Sequence, residues 1–177
     1  SLKKFARHLA LTASKPSSSL DALVQTMRAQ PPFALLSDSA AGAWLSQAKL
    51  IQLRPGQKLI SPTQLQDRIY LVVRGLMRFL AEIDSGDEVT LELRGSGQFL
   101  GWVSLLRAEA CETVIASEET LVLALPAQGF LDGVSSNPVF ADWFGTKAHA
   151  HEAFRVARAA LAQQPQQPGE WVELLMA

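Results

Sequence analysis

Between Lys49 and Leu125 the chain is a succession of short stretches rich in strand-forming residues, each closed by a turn signal. Leu50-Ile51-Gln52-Leu53, Lys58-Leu59-Ile60, Arg68-Ile69-Tyr70-Leu71-Val72-Val73, Leu76-Met77-Arg78-Phe79-Leu80, Glu88-Val89-Thr90-Leu91-Glu92-Leu93, Glu112-Thr113-Val114-Ile115-Ala116 and Thr120-Leu121-Val122-Leu123-Ala124-Leu125 concentrate residues that suit a pleated surface. Arg54-Pro55-Gly56-Gln57, Arg74-Gly75, Asp84-Ser85-Gly86-Asp87 and Gly95-Ser96-Gly97 separate them and supply the fixed or positive φ values that tight reversals need. The pattern predicts an α+β, mainly β fold: an antiparallel β jelly roll (double-stranded β-helix) flanked by N- and C-terminal helices.

The flanks carry a different period. Leu2, Phe5, Leu9 and Thr12 have helical spacing over Leu2 to Ala13, and Lys15-Pro16-Ser17-Ser18-Ser19 interrupts it with breaker and cap chemistry. A second helix is expected to start near Ser19, with Leu20, Leu23, Val24 and Met27 on one face, and Pro31-Pro32 to end it. A short helix carrying Leu45, with Trp44 beside it, is expected within Phe33 to Ala48. After Pro126, one short helix is expected over Ala127 to Val134, and Asn137-Pro138 opens a longer one reaching about Gln163. Gln163-Gln164-Pro165-Gln166-Gln167-Pro168 reads as a spacer. It leads into an apolar stub holding Trp171, Val172, Leu174, Leu175 and Met176. The expected division is a helical segment over 1–32, one domain over 33–162, and a spacer with the beginning of a further region over 163–177, the whole being one piece of a longer polypeptide.

A chain of 177 residues that is 48% hydrophobic can bury one substantial core. Its net charge of −1 gives no sequence-wide attraction to nucleic acid or to anionic membranes. The single cysteine, Cys111, cannot form an intrachain disulfide, which fits a reducing, cytoplasmic setting. Positive charge precedes apolar residues at the start, yet that apolar stretch breaks up too soon for a signal-peptide core. No stretch approaches the roughly 18 apolar residues of a spanning helix, so any membrane link is expected through a region outside these residues.

Three pieces give the chain its likeness to a family. Leu53-Arg54-Pro55-Gly56-Gln57-Lys58-Leu59-Ile60 is a Pro-Gly turn opening a strand. Asp67 to Arg78 holds Tyr70 in a buried strand, Gly75 at its reversal and Arg78 on the return. Gly97-Gln98-Phe99-Leu100-Gly101-Trp102-Val103-Ser104-Leu105-Leu106 is followed by Glu112-Thr113-Val114-Ile115-Ala116. Over about Phe33 to Leu161 the chain resembles cyclic-nucleotide-binding domains, the third piece being similar to their phosphate-binding cassette. The resemblance implies a non-enzymatic regulatory or sensor module, cAMP or cGMP as the class of ligand, and a pocket over Leu100, Gly101, Trp102, Val103, Arg107, Ala110, Cys111 and Thr113. It also implies an effector elsewhere in the same polypeptide, for instance an ABC transporter.

Such a cassette holds a cyclic phosphate with backbone N–H groups at a helix start, one guanidinium, and an acceptor for the ribose 2′-hydroxyl. Gly101, Trp102 and Val103 retain the amides. Trp102 stands where the family has its glutamate, and Ala110 and Cys111 are aligned with its arginine and hydroxyl residue. An indole accepts nothing from a ribose and an alanine pairs no phosphate. Losing one charge-assisted contact costs about 1.5–3 kcal/mol, one to two decades of affinity. Arg107 is the nearest substitute cation, and Trp102 itself would fill the sugar's space.

Other chemistries lack their minimal parts. Gly95-Ser96-Gly97-Gln98-Phe99-Leu100-Gly101 nearly spells a dinucleotide fingerprint, but its third glycine is one residue late and no βαβ unit surrounds it. No P-loop, zinc-protease or serine-esterase motif occurs. His149 and His151 are two apart on an expected helix and point to different faces, so no metal or catalytic residue is assigned. Cys111 is expected to be an inert thiol beside Glu112. The helix after Pro138 carries Phe140, Trp143, Phe144, Phe154 and Val156, which would pack on the barrel and would suit a homodimer. Two further readings remain. One is the effector domain of a catabolite-activator-type transcription regulator, which would need a helix-turn-helix longer than the stretch from Gln163 to Ala177. The other is a cupin-like enzyme, whose clustered metal ligands the strands lack.

Overall fold

The computed structural model describes residues 16–82 and 88–145. The expected helix over Leu2 to Ala13, the turn at Asp84 to Asp87, His149 and His151, the spacer and the apolar stub lie outside them. Helix α1 (Pro16–Arg28) is followed by a single 3-10 turn (Phe33–Leu35) and helix α2 (Asp38–Leu45). Helix α1 begins at Pro16, earlier than its apolar spacing suggests, because a proline in the first turn gives up an N–H that has no partner there. The one helix expected within Phe33 to Ala48 is two pieces: the Ser37 hydroxyl accepts from the Ala40 amide at 3.2 Å and caps a new start.

Eight strands follow: β1 (Lys49–Leu53), β2 (Lys58–Ile60), β3 (Arg68–Arg74), β4 (Leu76–Glu82), β5 (Glu88–Gly95), β6 (Phe99–Leu100), β7 (Thr113–Ala116) and β8 (Thr120–Pro126). A short helix α3 (Trp102–Arg107) lies between β6 and β7, and α4 (Ala127–Ser136) comes after β8. Residues 138–145 are again helical. The strands form two antiparallel sheets, ordered β1-β8-β3-β6 and β2-β7-β4-β5. Apart from the β4–β5 hairpin, consecutive strands alternate between the two sheets, as in a jelly roll. Gly56, Gly75 and Gly97 all take the positive φ values their turns require.

Strand alternation sorts the apolar residues into two cores. Tyr70 and Val72 of β3, Val122 and Ala124 of β8, Met77 and Phe79 of β4 and Val114 and Ala116 of β7 point between the sheets. The intervening Ile69, Leu71, Val73, Leu123 and Leu125 leave the other face of the first sheet and meet Leu23, Met27, Trp44, Phe130, Phe140 and Phe144 from the helices. Each such side chain taken fully from water is worth about 1.5–3 kcal/mol. Two polar contacts pin the helical layer: the Trp44 indole N–H donates to the Pro126 carbonyl at 2.8 Å, and the Asn137 amide donates to that of Leu35 at 2.7 Å. Phe140 and Phe144 are spent inside this chain's own core, and Phe154 and Val156 lie outside the described residues. Among the described residues no helix is long and apolar enough to cross a membrane.

Candidate functional site

The connection from β6 through α3 to β7 closes one end of the roll. Strand β6 has two residues and pairs with β3 through Tyr70↔Leu100 and Leu71↔Phe99, sending Leu100 into the roll and Phe99 towards the helices. Gly101 then caps α3 at φ 83°, and a Cβ there would lie 3.2 Å from Ile60 Cδ1 and 3.5 Å from the Arg68 carbonyl oxygen. Glycine meets both the left-handed conformation and the close approach. Helix α3 stops at Ala108, itself at φ 52°, where the Ala108 and Glu109 amides donate to the Leu105 and Ser104 carbonyls at 3.1 and 3.0 Å.

The structure divides the residues assigned to the pocket. Leu100, fully buried, faces the interior of the roll with Tyr70 and Ile60, and Gly101 abuts them. Trp102 and Val103 turn the other way. The Trp102 ring, 3% exposed, belongs to the helical core and meets the Phe144 ring edge-on at 5.5 Å, so it does not fill the sugar's space inside the roll. Arg107 ends α3 with its side chain exposed. Ala110 and Cys111 are half-buried in the loop, the thiol packing against the helical core with its Sγ 3.4 Å from Ser104 Oγ. Thr113 is half-buried on β7 opposite Leu80.

Strand register also brings an acid to the cassette. Val114 and Ala116 face the interior, and two-residue alternation puts Glu112, directly ahead of β7, on that same face, with Ala110 two residues further back in the loop. Glu112 is 0% exposed, and the Ser104 hydroxyl, itself 1% exposed, donates to its Oε2 at 2.8 Å. The inward residue ahead of β7 is therefore an acid. The sequence signal for it was the alternation Glu112, Val114, Ala116.

Other charged groups line the roll. The Arg94 guanidinium, 5% exposed, lies 4.4 Å over the Phe79 ring, places Nε 3.1 Å from Glu92 Oε1 and donates through Nη1 to the Phe99 carbonyl. The hydrogen bond to Phe99 ties β5 to β6, the strand that leads into the cassette. At the start of β3, the Tyr70 hydroxyl donates to Gln66 Oε1 at 3.3 Å. Burial, and next the Asp67 carboxylate, push the Tyr70 phenol above its ordinary value of 10.0 while the Arg68 guanidinium opposes them. Arg68 Nε is 3.9 Å from Asp67 Oδ1, and Arg68 Nη1 is buried with no hydrogen-bond partner among the described residues.

Comparison with known proteins agrees with this fold. The family model described as cyclic nucleotide-binding domain matches residues 50–137, about half of the chain. The fold is similar to the sensor domain of the transcriptional regulator DNR from Pseudomonas aeruginosa, with a TM-score of 0.64 and 15% identity over 78% of this chain and 93% of that one. It is similar to the Thermus thermophilus catabolite activator protein, with a TM-score of 0.55 and 28% identity over 75% of this chain and 61% of that one. A putative cyclic nucleotide binding protein from Ruegeria pomeroyi gives a TM-score of 0.58 at 20% identity over 83% of this chain and 65% of its own length. No curated protein matches the sequence.

Proposed function

Because residues 50–137 belong to the cyclic nucleotide-binding domain family, we propose that this chain is a non-enzymatic regulatory sensor whose altered cassette does not take cAMP or cGMP at micromolar concentration. The observation that carries this reading is the buried Glu112 carboxylate held by Ser104. Two unit charges of like sign about 4 Å apart repel by about 4 kcal/mol at an effective dielectric of about 20, roughly three decades of affinity. A phosphate set directly beside Glu112 would meet that repulsion. A carboxylate is also an acceptor, so the ligand that suits Glu112 brings it a hydroxyl or ammonium donor.

Occupancy of the roll would be reported outward through α3. Its first residue, Trp102, contacts Phe144 in the helical segment 138–145, and a shift of α3 would press on that segment. The effector is then another part of the same polypeptide, an ABC transporter being one such partner. A second reading, the sensor half of a transcription regulator, is favoured by the descriptions of the Pseudomonas and Thermus neighbours. Retardation of duplex DNA by the full gene product would favour that second effector.

Thermal unfolding of the chain with and without 1 mM cAMP or cGMP tests the ligand reading. A ligand at 100 times its Kd stabilises by about 2.7 kcal/mol, several degrees of Tm for a domain of this size. We expect no rise with either nucleotide, and a rise of about 5 °C or more contradicts the proposal.

A further inference from the structure

Arg68 carries a buried donor that the fold does not use. It opens β3 on the same face as Tyr70 and Val72, both of which point into the roll. Its carbonyl oxygen lies against the Gly101 turn, so the residue stands beside the start of α3. Its ion-pair partner is the Asp67 carboxylate, 89% exposed and 3.9 Å from Nε, a contact that water screens and that leaves Nη1 unengaged among the described residues. Arg78 has a buried Nε with no hydrogen-bond partner among the described residues as well, but it alternates with Met77 and Phe79 and so leaves the other sheet on its outer side. Arg94 is engaged by Glu92 and the Phe99 carbonyl. Among the described residues Arg68 is thus the cation that combines inward direction, nearness to Gly101 and an unused buried N–H.

We infer that Arg68 holds an anionic group of the ligand, a phosphate or a carboxylate, at the cassette end of the roll. The inference rests on the sensor reading and adds to it: the ligand is bipolar, presenting an anionic group to Arg68 and a hydrogen-bond donor to Glu112. A planar guanidinium grips either oxyanion through parallel N–H bonds, and a lysine there would offer only a point charge. The anion-binding cation is then supplied by the first residue of β3 and the acid by the residue ahead of β7.

The test uses the 177-residue chain labelled with 15N-arginine, the Arg68 Nε–H resonance being assigned by its loss in Arg68→Lys. Inorganic phosphate and acetate are titrated separately. We expect a saturable shift of the Arg68 resonance with at least one of them, the responding titrant naming the source, while exposed Arg54 and Arg74 stay in place. Arg68→Gln should weaken the binding tenfold or more. An Arg68 response no larger than that of Arg54 and Arg74 in both titrations overturns the inference, whatever the variants do. Micromolar binding of cAMP or cGMP would overturn the ligand reading above and not this one; an Arg68 resonance unmoved in that complex would overturn this one.

Discussion

The Trp102 ring stands 5.5 Å from the Phe144 ring at an interplanar angle of 62°, joining the first residue of α3 to the helical segment 138–145. The contact belongs to an aromatic cluster in which Phe144 also meets Phe99 at 5.4 Å and Phe130 at 4.9 Å. Edge-to-face pairs of this kind add about 0.5–1.5 kcal/mol beyond area burial. Trp102→Ala should therefore cost about 3–5 kcal/mol in chemical denaturation followed by circular dichroism. Trp102→Glu, which restores the family's acidic residue in this apolar setting, should cost more than the alanine variant. An exposed, inert tryptophan would give less than about 1 kcal/mol in both.

Two glycines should separate strain from clash. A Cβ at Gly75, φ 94°, would lie 2.5 Å from Thr120 Oγ1 and 2.7 Å from the Glu119 carbonyl oxygen, atoms of the adjacent turn. At Gly101 the nearest atom is Ile60 Cδ1 at 3.2 Å, the movable end of a side chain. Both alanine variants incur about 1–2 kcal/mol for left-handed backbone, and Gly75→Ala should lose measurably more stability than Gly101→Ala. Equal losses in urea midpoints would contradict this.

Tyr70 is the single tyrosine, so its ionisation can be followed by absorbance without assignment. Burial raises its pKa above 10.0, and the folded state therefore holds the phenolic proton more tightly than the unfolded state. That contribution to stability is fully present below pH 10 and is lost as the pH rises through the folded-state pKa. The tyrosinate band should appear with a midpoint above 10.0 in the folded protein and move down in denaturant. Tyr70→Phe should lose the corresponding alkaline fall in stability.

Much of the roll was legible because its signal is local. Ile69, Leu71 and Val73 alternate with Tyr70 and Val72, and every residue of that run has a core to face, so the strand announces itself by composition. Strand β6 does not: with only Phe99 and Leu100 it is too short for any period, and it exists because β3 offers it a ladder. The direction of Trp102 is equally invisible in sequence, since it depends on how α3 is turned by Gly101 and on aromatic partners as distant in the chain as Phe144. Glu112 was hidden for a different reason. Likeness to the family cassette draws the eye to Ala110 and Cys111, and the acid shows only when the strand is followed back by twos from Ala116 and Val114, which meets Glu112 first.

Glu112→Gln should convert a repelling group into a neutral acceptor while keeping an oxygen for the Ser104 hydroxyl. Saturation-transfer signals from cAMP or cGMP, absent with the parent chain, should then emerge with at least a tenfold gain in affinity. No gain with a folded variant would mean that Glu112 does not set the ligand's charge.

Calorimetric titration of cAMP and of cGMP into the unaltered chain asks directly whether an acid ahead of β7 has turned a cyclic nucleotide-binding roll towards another ligand. No saturable heat is expected from either nucleotide at micromolar concentration. Saturable binding of either with a Kd of about 10 µM or tighter, near −7 kcal/mol, would contradict it.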